Sequence, residues 1–357
     1  MAPFQMNNSM VRDFIDQTGR SGDAAEYADP SRSQVDTMFY TGVDPWHRMG
    51  TRLDNPATAA EAIAAAGLDW AVSMEPALVQ RNGSLIDTGR KAITREDTGD
   101  IFAVGMTDRY TPLQNKDAFQ FFDAVVGAGE AIYHTAGSLR GGRIIWILAK
   151  MPGDIGLTGD PADKYIMLSN SHDGTMGVDM RFCVRRIVCM NTFKMALASD
   201  ERNTRYRHTT NLMQKVNQTR NFLGLADAYF ANFMAGAERL ASKSMDATNA
   251  SDYFADVLNY SPTPEHQQPK IRNAIGELQD LWYGDGRGAD LASASGTAWG
   301  AFNAVSEWLE HHRYATPGTD VWTDNALLTD RRLTSSFYGN GAKLEQRAWD
   351  KAMALVG

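Results

Sequence analysis

Between Ala131 and Cys189 four apolar runs, AIYHTAGSL, IIWILAKM, KYIMLSNSH and GVDMRFCVRRIVC, follow one another with little but turn chemistry between them. Arg140-Gly141-Gly142-Arg143 joins the first two runs and Asp173-Gly174 the last two, so the stretch reads as an antiparallel β-meander. Beyond Cys189 the spacing turns helical at MNTFKMALAS, which predicts a helix laid across one face of that meander. The fold class that follows is α+β, with helices packed on an antiparallel meander and a helical subdomain after it.

The flanks fill in the rest. Residues 1–36 are polar, with little periodicity, and read as a flexible N-terminal arm. NPATAAEAIAAAG at 55–67 is a capped, alanine-rich helix ending at a glycine. LDWAVSMEPALVQ and IFAV read as short antiparallel strands, with a turn at Asn82-Gly83. TPLQNKDAFQFFDAVVGAG starts near Pro112 and spaces Ala118, Phe121, Phe122 and Val125 as one apolar helical stripe. From about Val216 the strand signals stop, and helices are predicted near 215–240, 252–258, 270–282, 297–311 and 342–356. The chain thus divides into the arm, an α+β core at 37–215 with a basic strand–helix segment, and a helical subdomain at 216–357.

No apolar run approaches the roughly 20 residues of a membrane span, and the amino terminus has no signal-peptide segment, so a cytoplasmic location without membrane contact is the expectation. The two cysteines, Cys183 and Cys189, sit in one apolar and basic stretch and read as small, reduced, buried hydrophobes. The net charge of -8 argues on average against nucleic acid, but the charge is uneven. From Arg181 to Arg220 nine Lys/Arg stand against Asp200 and Glu201, a local charge of +7 that leaves -15 for the remainder. Such asymmetry marks a partner-binding segment, unless the arginines pair with carboxylates of the acidic remainder.

Signals for other chemistry are weaker. No CxxC or HExxH occurs, and two cysteines six apart on a strand are about 20 Å from each other, so no metal or cofactor is expected. The loop GDGRGADLASASG at 284–296 lacks a Walker lysine and a preceding strand, and reads as a flexible connection. His311-His312, with Glu307 one turn earlier, reads as a charge-stabilised helix end. What remains is the basic segment. Its strand sets Arg181, Cys183 and Arg185 on one face and Arg186 on the other, the next helix adds Lys194, and the link beyond carries Arg202, Arg205, Tyr206, Arg207 and His208. Arginines clamp phosphates, and Tyr206, Trp146 and Tyr133 are aromatics that unpaired bases would stack on.

AGLDW at 66–70, DRYTPLQNKDAF at 108–119, AGSLRGGRIIWILA at 136–149, SNSHDG at 169–174, RRIVCMNTF at 185–193, RHT at 207–209 and TAWGAFNAVSEWLEHH at 297–312 resemble signature blocks of the phage- and plasmid-borne family called domain of unknown function 932. The likeness runs from about Trp46 to the carboxy terminus and implies a mobile-element setting, with no catalytic residue to carry over. A meander followed by a basic strand and helix is also similar to the core of phage single-strand annealing proteins. That likeness implies a ring or filament of identical subunits holding DNA in a basic groove. Here the groove would comprise Arg181, Arg185, Arg186, Lys194, Arg202, Arg205 and Arg207, with Arg140 and Arg143 added from the hairpin turn.

The expectation is therefore a non-enzymatic, homo-oligomeric protein that binds single-stranded DNA and anneals strands in replication or recombination. One alternative is a hydrolase or nuclease built on His172, Asp173, Cys183, Cys189, Asn191 and His208. Another is a counter-defence factor whose acidic surface engages a host protein.

Overall fold

The computed structural model describes residues 38–41, 51–53, 57–126, 131–188, 192–193, 205–209, 226–260, 269–313 and 326–357. Two short strands, β1 (Phe39–Thr41) and β2 (Thr51–Leu53), precede α1 (Ala59–Ala65). Thr58 and Glu61 cap α1 reciprocally, each side chain taking a backbone N–H of the other, and Gly67 follows at φ 62. Next come β3 (Val72–Arg81), β4 (Ser84–Arg95) and β5 (Ile101–Met106), a three-stranded antiparallel sheet. The β3–β4 turn puts Asn82 and Gly83 at φ 51 and 80, the left-handed values that a two-residue hairpin favours.

α2 (Asn115–Val126) buries Ala118 and Phe119; the side chains of Phe121, Phe122 and Val125 lie outside the described residues. The meander follows as β6 (Ile132–Leu139), β7 (Ile144–Leu157), β8 (Asp160–Ser171) and β9 (Val178–Arg186), each antiparallel to the one before. Two-residue strands β10 (Thr192–Phe193) and β11 (Arg205–Tyr206) pair with opposite ends of β9. The eight-stranded sheet runs β10-β9-β8-β7-β6-β1-β2, with β11 beside β9. Helices close the chain: α3 (Ala226–Ser242), α4 (Ala247–Val257), α5 (Pro269–Asp280), α6 (Ala298–Glu307), α7 (Ala326–Tyr338) and α8 (Asn340–Ala354). α5 and α6 each end in a π-helical turn, at Leu281–Asp285 and Trp308–His312.

Both faces of the large sheet are covered. Ile145, Ile147, Ile166, Met180, Phe182 and Val184 point into the core shared with α2 and α3, where Phe182 meets Tyr229 and Phe230 at 5.3 and 5.5 Å. Their neighbours in sequence, Ile144, Trp146, Leu148, Tyr165, Met167 and Cys183, form a second cluster closed by Leu333 and Phe337 of α7. A strand buried on both sides needs apolar residues at nearly every position, which is why β7 reads IIWILA without alternation.

Two expectations are corrected. The helix predicted from Met190 is instead strand at Thr192–Phe193, because the outer edge of β9 offers free backbone groups; the rest of that run lies outside the described residues. The sheet has helices on both faces rather than one, and α7 was not anticipated at all. Its buried positions mix Arg332, Ser335 and Ser336 with Leu333 and Phe337, which interrupts the apolar stripe that marks a helix in sequence. The boundary expected at 215/216 falls among residues outside the description, and the apolar core crosses it. The 284–296 loop is tied down: Gly288 accepts from Arg186, and Ser293 donates to Asp160. Among the described residues no helix is long and apolar enough to cross a membrane.

Candidate nucleic-acid interface

β9 places its basic residues as the period of two requires, but the covered sheet decides what they do. Arg186 is 1 % exposed, its Nε 2.5 Å from Asp160 Oδ1 and its Nη2 3.2 Å from the Gly288 carbonyl. Arg185 is 4 % exposed, lies across from Asp163 in register, and sits beside Tyr165. Burial pushes that phenol up to about 12, with Arg185 working against the rise. These two arginines are therefore interior residues, as are Trp146 and Tyr133, and none of the four presents a surface to a strand of DNA. Lys194 and Arg202 lie outside the described residues, and for Arg205 the description covers only the backbone, opposite Asp179. Tyr206 is half-buried against the core.

Arg140 and Arg143 bracket the hairpin turn and brace it. Arg140 lies 3.8 Å from Asp173. Arg143 donates to the carbonyls of Arg140 (3.1 Å) and Ile101 (3.3 Å) and caps the Phe102 ring at 5.3 Å. This ties the large sheet to the small one.

Arg181 and Arg207 have a different fate. With Arg109 they line one open cleft of about 730 Å³ at the end of the sheet, between the β5 exit, the Gly174–Gly177 turn and the segment after β11. Arg109 and Arg207 are exposed, while Arg181 is half-buried and donates from Nε to Asp179 at 2.6 Å. Tyr110 and His208 stack in the same cleft, 4.8 Å apart and 26° from parallel. The stack is held by a reciprocal pair: His208 Nδ1 donates to the Thr111 carbonyl at 3.2 Å, and Thr111 N donates to the His208 carbonyl at 3.3 Å. Burial keeps His208 below the usual histidine pKa, so its ring is neutral near pH 7, and burial beside Asp173 raises the Tyr110 phenol. Tyr338 closes the far wall and donates to Ser169 Oγ at 2.8 Å. Arg109 carries no signal in the sequence beyond a charge beside a tyrosine; only the chain path brings it to Arg181 and Arg207.

His172 lies behind this cleft, fully enclosed. Asn115 Nδ2 donates to the carbonyls of Leu68 and Trp70, both at 3.1 Å, which turns its Oδ1 toward His172 Nε2 at 2.9 Å. Nε2 therefore carries the proton. Trp70 and Phe102 flank the ring at 5.3 and 6.2 Å. Burial, then His208 and Arg95, hold its pKa down at about 3. Asp173 accepts from Thr175 N at 3.0 Å and Thr175 Oγ1 at 2.5 Å, the pattern of a turn cap. Cys183 is buried in the second cluster, and Cys189 and Asn191 lie outside the described residues. Among the described residues no three His, Cys, Asp or Glu are grouped as metal ligands.

The enclosed histidine makes a prediction. Its folded pKa lies below the unfolded value of about 6.5, so between those values the unfolded chain binds more protons. Its contribution is complete above about pH 6.5 and is lost as the pH falls toward 3, at up to about 1.4 kcal/mol per pH unit. His208, lowered by the same cause, acts in the same direction. Urea midpoints at pH 7 and pH 5 will show a smaller difference for His172→Gln than for the native chain.

Residues 105–334 match the family model described as Domain of unknown function (DUF932). The match spans every residue lining the cleft except Tyr338. No curated protein and no solved structure matches the chain.

Proposed function

The chain belongs to the DUF932 family, with nearly the whole cleft inside the matched region, and from that cleft we propose that it is a single-stranded DNA-binding protein. The observation that carries this reading is the convergence of Arg109, Arg181 and Arg207 on one open cleft that also holds the Tyr110–His208 stack. Guanidinium groups take phosphate oxygens in pairs, and the partly exposed Tyr110 ring, backed by the buried His208, is the aromatic surface beside them for an unpaired base. Asp179 offsets Arg181, so the net positive charge comes from Arg109 and Arg207. Bases in a duplex are stacked on each other and would leave the rings unused, which favours single strands. Annealing of strands during replication or recombination of a mobile element, by a cytoplasmic homo-oligomer, is the activity this reading implies.

The test is fluorescence anisotropy of a labelled single-stranded oligonucleotide against the full chain, with a duplex in parallel, across a salt series. Each phosphate held contributes a slope of about -0.7 in log K against log salt. The expected slope per cleft is therefore about -1.4 to -2, with weaker binding of the duplex. No binding at low salt, or binding insensitive to salt, would sink the proposal.

A further inference from the structure

The β3–β4 ribbon leaves the body with aliphatic side chains on both of its faces. Val79 and Ile86 pair directly across the strands on one face, while Leu78 and Leu85 lie diagonally on the other. They are 53, 48, 51 and 68 % exposed. A ribbon tip that is apolar on both sides cannot be covered by lying flat on a surface; it has to be received by a groove.

The same chain has such a groove at the ribbon's root. Ala60 and Ile63 of α1, with Leu68 and Trp70, line an open, mainly apolar depression of about 450 Å³. Its rim carries Asp69 and Lys116, and the ribbon tip carries Arg81 and Asp87, all four exposed. Each surface thus sets one acidic and one basic residue beside its apolar part, so a contact between them can pair both charges. They cannot meet within one molecule. β3 begins at Val72, immediately after the groove, and the turn at Asn82 is about 33 Å further along the ribbon at 3.3 Å per residue.

We propose that the ribbon tip of one copy docks in the α1–α2 groove of the next. Tip and groove are different surfaces, so the contact is head-to-tail, and repetition builds a ring if the rotation closes and a filament if it does not. Arg81 of one copy then meets Asp69 of the next, and Asp87 meets Lys116. The inference stands apart from the DNA-binding cleft and is tested without DNA.

Mass photometry of the full chain over a concentration series is the experiment. The native protein will form species larger than a dimer that grow with concentration. Leu85→Asp, which alters only the tip, and Ala60→Glu, which alters only the groove, will each be monomeric, with native circular dichroism. Mixed together they will form a one-to-one heterodimer and nothing larger, because only one intact tip and one intact groove remain. A native protein that is monomeric at every concentration overturns the proposal, and so reserves the ribbon for another protein or for nucleic acid. Retention of native mass by either variant overturns it as well. A mixture that stays monomeric would show that one tip-in-groove contact does not hold two copies together, also contrary to the proposal.

Discussion

Asp160→Ala will destabilise the protein by about 3–5 kcal/mol, the cost of leaving a buried charge without its partner. Asp160 and Arg186 are both almost fully enclosed, with side chains 1 and 2 % exposed. One carboxylate oxygen takes Arg186 Nε, and the other takes Ser293 Oγ at 2.9 Å and Trp299 Nε1 at 3.1 Å. Alanine takes the carboxylate from the guanidinium and strips two further donors of their acceptor. The loss is a large share of the 5–15 kcal/mol that holds a typical native protein together. Asp160→Asn keeps an oxygen for these donors and will cost markedly less. Urea midpoints followed by tryptophan fluorescence measure both, and a loss under about 1 kcal/mol in the alanine variant would show that the pair is not closed as described.

Removing both exposed arginines of the cleft, in Arg109→Ala/Arg207→Ala, will weaken single-stranded DNA binding about a hundredfold while the urea midpoint stays within error. Each guanidinium is assigned about a factor of ten, equivalent to about 1.4 kcal/mol, a modest figure for an exposed charge-assisted contact. The log–log salt slope will become shallower by about 1.4, because two phosphate contacts are gone. Arg186→Ala, by contrast, will lower stability. Its effect on binding will follow the loss of folded protein, since it sits on the interior side of β9 with Asp160. If the double variant binds like the native chain with an unchanged slope, the cleft is not where the strand lies.

The contrast between Arg186 and Arg207 shows where reading the chain as a string stops. Both are basic residues of the same +7 segment, and although one reads as strand and the other as link, neither position tells which is covered. Arg186 ends a strand whose two faces are both covered, whereas Arg207 follows a two-residue strand at the sheet's edge. The pairing of basic residues with carboxylates from elsewhere is realised at Arg186–Asp160 and Arg181–Asp179. Sequence separation hides the first of these, since Asp160 is 26 residues from Arg186 and 139 from Trp299, whereas Asp179 stands two residues from Arg181 on the same strand.

Local structure is legible in the chain alone: the capped helix at 55–67, the Asn82-Gly83 hairpin, the four-strand meander and the alternation of faces along β9. These depend on backbone preferences and on periods of 2 and 3.6, which a few neighbouring residues express. Which faces are covered depends on long-range packing. That α7 lies on the sheet, that Tyr133 is interior, and that Arg109 joins Arg181 and Arg207 are results of chain segments meeting over long separations. Burial is a property of what lies opposite a residue, and outside an unbroken apolar run such as IIWILA its neighbours in sequence carry no record of it.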